Sequence, residues 1–409
     1  MQSLIPIPSS RSDAERANVL GVAGTPARIR RGFALFMALG ALVIIAVLIA
    51  GSTFITTQEA RLGQNQLVQS RAMAAAEYGL NKVQADWDKT PNLTMAVGAF
   101  FDTSYTITNQ GTTQVRYVRL NNETFWLISE GRATVGNSVS AARTAVKRVG
   151  AILRLRIPTI KANGAITTAG NVKQQGSSQI RGANTNPPGW NGCASAPDKA
   201  ALVVGPTATV TIQKAASVTG SPQTTVDALA SDSNTYVRFG DETWTALVAG
   251  ANIIMTDGGA TSDGVPSVLG NGACDKGNVN NWGEPWFTAQ HAGAVTACNT
   301  YFPIIYATTS VALHGGRGQG IMLVNGDFRA NGVFEWYGII IAKDDIAKSN
   351  GNAKVYGAMM ARNAETADPL AGDFTGTLDM FYSACSLERA MRGSAQVLQA
   401  RERAWTELY

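Results

Sequence analysis

The sequence predicts an α+β protein: a long N-terminal helix that crosses a membrane packs on a small antiparallel sheet, and a larger β-rich domain follows. Three observations support this. An apolar stretch near the N-terminus runs into a helical region without proline, residues 100–157 alternate as strands do, and apolar stretches downstream recur at a period near 18 residues. At 409 residues the chain exceeds one ordinary core, so we expect more than one packed unit.

The charge of the chain argues against nucleic-acid binding. The formal net charge is +5, but five arginines and two acidic residues before residue 33 account for +3 of it. The remaining chain is nearly balanced, whereas a nucleic-acid-binding domain carries a basic patch or stripe. We therefore expect no nucleic acid among the partners.

The apolar stretch has the length of a membrane span. Residues 33–58 contain no charged side chain, and about 18 apolar residues suffice for a transmembrane helix. The preceding arginines favour a cytoplasmic N-terminus, so we expect residues 1–32 to be a cytoplasmic basic leader and the C-terminal mass to lie outside the inner membrane after a single pass. A cleaved export signal is the alternative, but nothing near Ala50 supplies a good small-x-small cleavage site.

The helix is predicted to continue past the membrane, with residues 33–90 as one helical domain. No proline interrupts residues 52–87, and Pro91 follows them. Apolar residues at alternating three- and four-residue steps give this part of the helix one apolar face. They are Met73, Ala76, Leu80, Val83 and Trp87.

The most specific motif in the sequence lies at the junction between the leader and the helix. It consists of Arg30-Arg31-Gly32-Phe33-Ala34-Leu35, in which a basic leader ends in glycine before a phenylalanine opens the apolar helix. This resembles the cleavage site of type IV prepilins and pseudopilins. The resemblance implies that a prepilin peptidase cuts after Gly32 and leaves Phe33 as the N-methylated mature N-terminus. An uncleaved anchor is the alternative.

A second stretch resembles one subgroup of the prepilin-like proteins. Residues 69–80, QSRAMAAAEYGL, resemble the A-x-x-A-A-E-x-G-L/A stretch of PilX-type minor pilins and related prepilin-like proteins. The resemblance covers residues 30–90 and implies a long helix whose first half is membrane anchor or filament core and whose second half packs on a globular head. It implies three partners: other pilins or minor pilins through helix 33–87, prepilin peptidase, and the inner membrane. The chain is then a structural subunit of a type IV pilus or a type II secretion filament.

Met37 departs from the pattern of major pilins. Those proteins carry a glutamate at the fifth mature position, which neutralises the N-terminal amine of a neighbouring subunit in an apolar filament core, where an unpaired charge is costly. That position is Met37 here. The K-type pseudopilin of type II secretion shares the absence and sits at the tip, so the departure implies a minor subunit that initiates the filament or lies at its tip.

Residues 91–158 are predicted to form the small antiparallel sheet. Strand-like alternation covers residues 100–108, 115–120, 124–130 and 145–156. Asn121-Asn122 is predicted to close a hairpin. We expect this sheet to pack on the apolar face of the helix and to end near Pro158.

Residues 159–384 are predicted to form a parallel β-helix. Gly320, Gly338 and Gly357 each begin an apolar stretch, at spacings of 18 and 19 residues. Short apolar strands separated by Gly, Asn and Asp turns at this period are typical of stacked coils. Residues 185–302 interrupt the repeat and are predicted to be a disulfide-stapled insertion. Two sheets joined by hairpins are the structural alternative.

The last residues, 385–409, are predicted to form a C-terminal amphipathic helix. Leu387, Met391, Val397 and Leu398 stand there among arginines and glutamates. Such a helix would cap the last coil.

The four cysteines indicate disulfides rather than a metal site. All lie downstream of the membrane stretch and none belongs to a CxxC or Cys/His cluster, so zinc is not expected. An even number outside the cytoplasm favours two disulfides, for which three connectivities exist. We favour Cys274 with Cys298, because that loop is short, which leaves Cys193 with Cys385. Four free thiols are the alternative.

β-Helices also carry polysaccharide lyases and hydrolases, so a membrane-tethered enzyme or adhesin acting on surface polysaccharide is the alternative function. Its candidate residues are Asp344-Asp345, near Glu335 in sequence, as calcium ligands or as an acid and base. The chain has two histidines, His291 and His314, and no HExxH or GxSxG. We expect a solvated turn at the acidic pair, no enzyme activity, no catalytic residue, no cofactor and no metal.

An aromatic group near the repeats suggests two roles. It is either a binding face for a glycan or a partner, or it packs coils and anchors loops, which we favour on burial statistics. Its members are Trp282, Trp286, Phe287, Phe334, Trp336 and Tyr337.

Overall fold

The computed structural model has a long N-terminal helix, a small antiparallel sheet, and a large β-rich region with two disulfides, which is the predicted α+β class. By internal contacts the chain divides into two compact units, residues 1–66 and 67–409. The structure describes residues 33–87, 95–107, 111–135, 142–174, 178–213, 217–256, 260–261, 263–365, 377–399 and 405–408.

The described α-helices are α1 (Phe33–Ala85), α2 (Asn234–Val237), α3 (Trp244–Ala249) and α4 (Ala384–Gly393), with 3-10 turns at Ala228–Ser231 and Thr296–Cys298. The small sheet contains β1 (Phe100–Ile107), β2 (Gly111–Arg119), β3 (Thr124–Val135) and β4 (Arg143–Arg156). The other strands are β5 (Gly164–Thr168), β6 (Val172–Gln174), β7 (Ile180–Arg181), β8 (Ala200–Val204), β9 (Val210–Ile212), β10 (Val218–Thr219), β11 (Thr224–Val226), β12 (Arg238–Phe239), β13 (Glu242–Thr243), β14 (Ile253–Met255), β15 (Ala260–Thr261), β16 (Ile304–Ala307), β17 (Val311–Leu313), β18 (Gly316–Val324), β19 (Phe328–Ala342), β20 (Asp345–Ala361), β21 (Asn363–Glu365), β22 (Thr377–Tyr382), β23 (Gln396–Gln399) and β24 (Trp405–Leu408).

The small sheet is an antiparallel meander that the C-terminus completes. Strands β1 to β4 pair in sequence order, and β23 and β24 both pair with β4. The turn between β2 and β3 is the predicted one, where Asn121 Oδ1 accepts the N–H groups of Glu123 and Thr124 at 2.8 and 2.7 Å. The predicted closure near Pro158 is therefore wrong, because residues from the far end of the chain supply the last strands.

The prediction of one helix over residues 385–409 is wrong beyond Gly393. At its end α4 packs tightly, since a Cβ built on Gly393 would lie 2.6 Å from the Phe302 ring. The chain then turns into β23 and β24, which extend the small sheet. Helix α4 contacts β18, β19 and β20 instead of capping a terminal coil.

The strands from β5 to β22, apart from the β12–β13 hairpin, pair in parallel, and each set of consecutive strands that pairs with the next set is called a coil below. The register is the one that the sequence repeat predicted: Gly320 pairs with Gly338, and Gly338 with Gly357. The alternative of two sheets joined by hairpins does not fit these described pairings. Apolar side chains from successive coils fill the interior, as the buried Ile321, Ile339 and Val355 illustrate.

The spatial order of the coils differs from their order along the chain. The first coil, which begins with β5, stacks on the last one through the pairing of Ile166 with Met359. Strand β8 stacks on the other side of β5, and β11 on β8. At the far end β14 stacks on β16 and β15 on β17. The chain thus starts in the middle of the stack at β5 and winds to one end at β11. It then passes to the opposite end at β14 and winds back to the middle at β20.

This winding corrects the predicted insertion at residues 185–302. Strands β8 to β11, β14 and β15 lie within that range and continue the stack. A constant sequence period did not reveal them, because connections of unequal length separate their coils. Outside the coils the range holds α2, α3, the β12–β13 hairpin and the segment joined by Cys274 and Cys298.

A ladder of polar side chains links the coils at one corner. A side-chain oxygen in one coil accepts a hydrogen bond from a backbone or side-chain N–H in the next coil. Asn363 donates to Asp345 Oδ1 at 2.8 Å and accepts the Asn171 N–H at 3.0 Å, so the ladder crosses from the last coil to the first. The side chains in spatial order are Ser310, Asp327, Asp345, Asn363 and Asn171, and Asn171 Oδ1 accepts the backbone N–H of Thr209.

Candidate functional site

The first half of α1 is an apolar surface that the described chain leaves uncovered. Every side chain from residue 35 to residue 66 is exposed, including Leu35 at 66% and Phe36 at 75%. The most apolar 18-residue window has a mean hydropathy of 2.6, and none of it is buried. By length and composition this helix is able to cross a membrane, and among the described residues it is the one helix that meets this criterion.

Hydroxyl groups within this surface bond to the helix itself. Ser52 and Thr53 donate to carbonyl oxygens three residues earlier, and Thr56 to the one four residues earlier, at 2.8 to 3.0 Å. A hydroxyl without a partner is costly in an apolar environment. Because these hydroxyl groups are already satisfied, Ser52, Thr53 and Thr56 do not oppose burial of the helix in lipid or among other helices.

The predicted processing site lies at the start of this helix. Gly32 falls outside the described residues, and Phe33 is the first residue of α1. Met37 lies one turn later, with 65% of its surface exposed, and the first turn contains no acidic residue. The described helix therefore brings no carboxylate of its own to the position where major pilins carry one.

The second half of α1 packs on the small sheet along one face. Leu80, Val83 and Trp87 from the predicted stripe are buried, and they share a core with Phe125 and Leu127 of β3. The Trp87 ring lies 4.7 Å from the Phe125 ring in an edge-to-face arrangement. Burial raises the pKa of Tyr117, on the next strand, to about 12. This apolar contact holds the helix on the sheet.

Small residues let the helix backbone reach the sheet. Ala72, Ala75 and Ala76 are completely buried, and a Cβ built on Gly131 of β3 would lie 2.1 Å from the Ala72 carbonyl oxygen. A Cβ on Gly79 of α1 would lie 2.4 Å from Thr113 Oγ1 and 2.5 Å from Ser129 Oγ. Only residues without a larger side chain fit at these positions.

These are the positions of the stretch that resembles PilX-type minor pilins. The stretch contacts the sheet through Ala72, Ala75, Ala76 and Gly79. Close packing against the sheet therefore explains why these residues are small. Sequence reasoning identified the stretch on the helix but missed Gly131, its partner on β3. A glycine inside a strand pattern often marks a close backbone approach, and this was the available signal.

The structure joins the cysteines in the favoured pairs. Cys193 bonds to Cys385 across 192 residues, and Cys274 to Cys298 across 24. The first disulfide ties a loop beside the coils to α4. The second closes the segment around Asn281, whose buried side-chain amide donates to the carbonyl oxygens of Ser267 and Asp275.

The acidic residues considered for chemistry occupy separate structural roles. Asp344 is exposed, and Asp345 belongs to the polar ladder at the corner of the coils. Glu335 accepts from Trp286 Nε1 at 3.0 Å and from the Tyr337 hydroxyl at 3.1 Å. Burial, with Glu335 as a second cause, raises the pKa of Tyr337. In the described part of the chain no three His, Cys, Asp or Glu side chains are grouped to hold a metal ion.

His291 belongs to a packed cluster beside the coils. Its ring stacks on Trp286 at 4.0 Å, and the Arg317 guanidinium lies 4.1 Å from the same indole. Arg317 donates to both oxygens of the buried Glu284 at 2.8 and 2.7 Å. Glu284 also accepts the N–H of Val295 at 2.9 Å, so its carboxylate is fully engaged in holding this loop.

The aromatic group splits between core and loop. Trp282, Phe334, Trp336 and Tyr337 are buried, whereas Trp286 and Phe287 are half-buried. The Phe334 and Trp336 rings stack at 6.3 Å within the coils. Most of the group thus packs the interior and leaves no continuous aromatic face.

Comparisons with known proteins add little to this geometry. No family model and no curated protein matches the sequence. Among solved structures, the chain is similar to the competence-associated pilin ComZ from Thermus thermophilus, with 12% identity, covering 84% of this chain and 97% of that one. The TM-score is 0.22, and a likeness at this level carries no argument about fold or function.

Proposed function

We propose that this chain is a minor pilin or pseudopilin-like structural subunit that is anchored in the inner membrane and joins a type IV pilus or type II secretion filament. The observation that carries the proposal is α1: one continuous helix of 53 residues with an exposed apolar first half and a second half fixed on a sheet. An exposed apolar surface of this size requires lipid or other apolar helices around it. Both environments are those of a subunit that moves from a membrane into a filament.

The proposal includes the orientation and the processing of the helix. Arginines before residue 33 keep the leader in the cytoplasm, and the C-terminal domain lies outside. Prepilin peptidase removes the leader after Gly32. The disulfides fit this orientation, because they form and persist outside the cytoplasm.

The likeness of residues 69–80 to PilX-type minor pilins supports a minor subunit, and Met37 supports an initiating or tip position. A bulk subunit needs a carboxylate to pair with the neighbouring amine, and α1 has none in its first turn. The parallel, in-register pairing of the coils supports a β-helix as the head that the subunit presents.

The mature N-terminus tests the function most directly. In cells with active prepilin peptidase, mass spectrometry should find Phe33 as the N-terminal residue, with an N-methyl group. Gly32→Ala should retain the leader and abolish incorporation into filaments. Gly40→Ala is the matched control, because a Cβ there meets nothing within 4 Å and should leave processing intact. An intact Met1 in the wild-type chain of such cells would refute the pilin assignment.

The position in the filament has a separate test. Met37→Glu supplies the carboxylate of major pilins, so the variant should enter sheared filaments in larger amounts relative to the major subunit. Met37→Gln, of similar size but without charge, is the control. Equal incorporation of wild type and Met37→Glu would contradict the role assigned to Met37.

A further inference from the structure

A cavity remains between the second half of α1 and the small sheet. Its volume is about 160 Å³, and it lies beside strands β3, β4 and β24. The floor consists of Leu80 from the helix and of Leu127 and Leu153 from the sheet, none of them more than 6% exposed. The cavity therefore has an apolar floor that belongs to the core of the domain.

A small residue in the sheet leaves this space open. Leu127 of β3 pairs with Ala151 of β4, and Ala151 pairs with Trp405 of β24. Residues that pair directly across neighbouring strands direct their side chains to the same face of the sheet, here the face that α1 covers. The methyl group of Ala151 lies between a leucine and an indole, so the row is low at its centre. Trp405, 43% exposed, forms the outer wall.

The helix supplies a polar rim on the opposite side. Glu77, Asn81 and Gln84 recur at steps of four and three residues, which places them on one side of α1 next to the buried stripe. Glu77 and Asn81 are exposed, and Gln84 is half-buried. In the described part of the chain, no hydrogen bond or ion pair involves the side chains of these three residues or the Trp405 indole. These polar groups are available to a ligand.

The cavity carries one negative charge without a counter-ion among the described residues. The neighbouring cation on the helix, Lys82, pairs with Asp86 at 3.3 Å, and Lys147 of β4 pairs with Glu407. Glu77 is the single charged residue among the described residues that line the cavity. A cationic ligand complements this carboxylate, whereas an anionic ligand is repelled.

The size and the chemistry of the cavity select one kind of ligand. Drug-sized molecules occupy pockets of roughly 300–1,000 Å³, so about 160 Å³ has room for one long side chain. The apolar floor favours methylene groups, and the indole of Trp405 is the aromatic ring that cations prefer. A lysine side chain combines such a stem with a compact ammonium group that has three donors for the rim. Arginine fits less well, because its planar guanidinium is best matched by one carboxylate, whereas these acceptors are spread along the helix.

We propose that this cavity binds a lysine side chain of a partner protein that docks beside α1. Protein interfaces are often anchored by a few side chains that fill pockets. The cavity lies on the folded domain, beyond the apolar half of the helix, so a protein is the source of the ammonium group rather than a lipid headgroup. The contact requires neither leader cleavage nor a position in a filament, and the proposal therefore goes beyond the pilin function.

Binding of a lysine derivative to the full chain tests the proposal. The probe is N-acetyl-lysine methylamide, added to the chain in lipid nanodiscs after its tryptophans have been replaced by 5-fluorotryptophan. Fluorine NMR then follows the Trp405 signal, which Trp405→Phe identifies by its loss. The probe should shift this signal in a saturable way, with a dissociation constant of about 1 mM for a ligand of this size.

Three comparison compounds define what is recognised. The norleucine analogue keeps the apolar stem without the charge and should bind about tenfold more weakly, because it loses both the ion pair and the contact with the indole. The arginine analogue should bind more weakly than the lysine probe. Ethanolamine, which is the ammonium group of a lipid headgroup without a long stem, should not shift the Trp405 signal at the same concentrations.

Three variants connect the binding to the cavity. Glu77→Gln keeps the size of the side chain but removes the charge, and should weaken binding of the lysine probe about two- to fivefold. Glu59→Gln, the same change at an exposed position of the same helix, is the control and should leave binding unchanged. Ala151→Leu fills the cavity and leaves every rim group in place. It should abolish the Trp405 shift without lowering the unfolding midpoint, since filling a cavity commonly stabilises a protein.

Each result supports the proposal or overturns it. A Trp405 signal that does not respond to the lysine probe, an equal response to the norleucine analogue, or binding that survives Ala151→Leu would each overturn it. Tighter binding of the arginine analogue would overturn the choice of lysine, and ethanolamine binding as strong as that of the lysine probe would overturn the choice of a protein. The processing test at Gly32 gives its own answer in every case, so failure of this site and failure of the pilin assignment remain distinguishable.

Discussion

Gly131 of β3 lies directly against the backbone of α1 at Ala72. A Cβ built on Gly131 would be 2.1 Å from the Ala72 carbonyl oxygen and 2.4 Å from the Ala76 nitrogen. Helix and strand therefore meet backbone to backbone. The contact sets how closely the second half of α1 approaches the sheet, and the apolar core around Trp87 depends on that approach.

Gly131→Ala should destabilise the head. The added methyl group has no room, and the backbone atoms that it meets cannot rotate away as a flexible side chain would. Overpacking of this kind costs about 1–3 kcal/mol, measured as the free energy of unfolding of the purified chain by intrinsic fluorescence. Gly63→Ala is the control, since a Cβ there meets nothing within 4 Å. A Gly131→Ala variant as stable as Gly63→Ala would contradict the backbone contact.

Glu284→Gln should lower the stability of the folded protein more than the same change in an exposed ion pair. Glu284 is completely buried, and removal of its charge leaves the Arg317 guanidinium without its counter-ion beside Trp286. Breaking a buried pair costs about 3–5 kcal/mol. Glu388→Gln breaks an exposed pair with Arg392 on α4, worth about 0–1 kcal/mol. Thermal unfolding of the two variants side by side measures the difference, and equal losses would show that Glu284 does not hold the loop.

Local and periodic patterns in the sequence predicted much of this fold. The helix, its buried stripe and the four strands of the small sheet follow from residue spacing within one element. The register of Gly320, Gly338 and Gly357 follows from a repeat along the chain. In each case the residues that pair or pack are related by a fixed distance in sequence.

Pairings between distant segments could not be predicted in this way. Strand β24 pairs with β4 across the whole β-rich region, and Ile166 pairs with Met359 where the chain returns to its first coil. No local pattern encodes which distant strand completes an edge. For the same reason the sequence identified Ala72 and Gly79 on the helix but not Gly131, with which they form the contact at the candidate site.

Asn363→Ala should loosen the join between the first and last coils. Asn363 makes two ladder hydrogen bonds, to Asp345 and to Asn171, and each is worth about 0.5–1.5 kcal/mol. Hydrogen exchange should show faster exchange of the Asn171 amide in the variant. Asn325→Ala is the control, because its side chain makes one exposed hydrogen bond, to the Thr308 carbonyl. Unchanged protection of Asn171 would mean that the strands alone hold the join.

The stability of the small sheet should fall in acid through Asp102. A hydrogen bond from Arg116, opposed by slight burial and reinforced by its charge, holds the Asp102 pKa below the usual 3.8. The pKa of Glu130 is also lowered. Burial raises this pKa, but hydrogen bonds from Arg148 and Arg132 outweigh burial and bring the pKa below 4.5. A carboxylate with a lowered pKa in the folded state contributes stability above its unfolded pKa, and loses it as the pH falls through the folded value.

Asp102→Asn should therefore lower the unfolding midpoint near neutral pH and have a smaller effect once the pH has fallen through the lowered pKa of folded Asp102, where the wild-type carboxyl becomes protonated. Asp241→Asn is the control, since the Asp241 side chain is 75% exposed and its ion pair with Arg154 should add little at either pH. Thermal melts of wild type and both variants across this range measure the effect. A difference between wild type and Asp102→Asn that stays constant down to strongly acidic pH would show that Arg116 stabilises the neutral side chain equally, and that charge is not the basis of the contact.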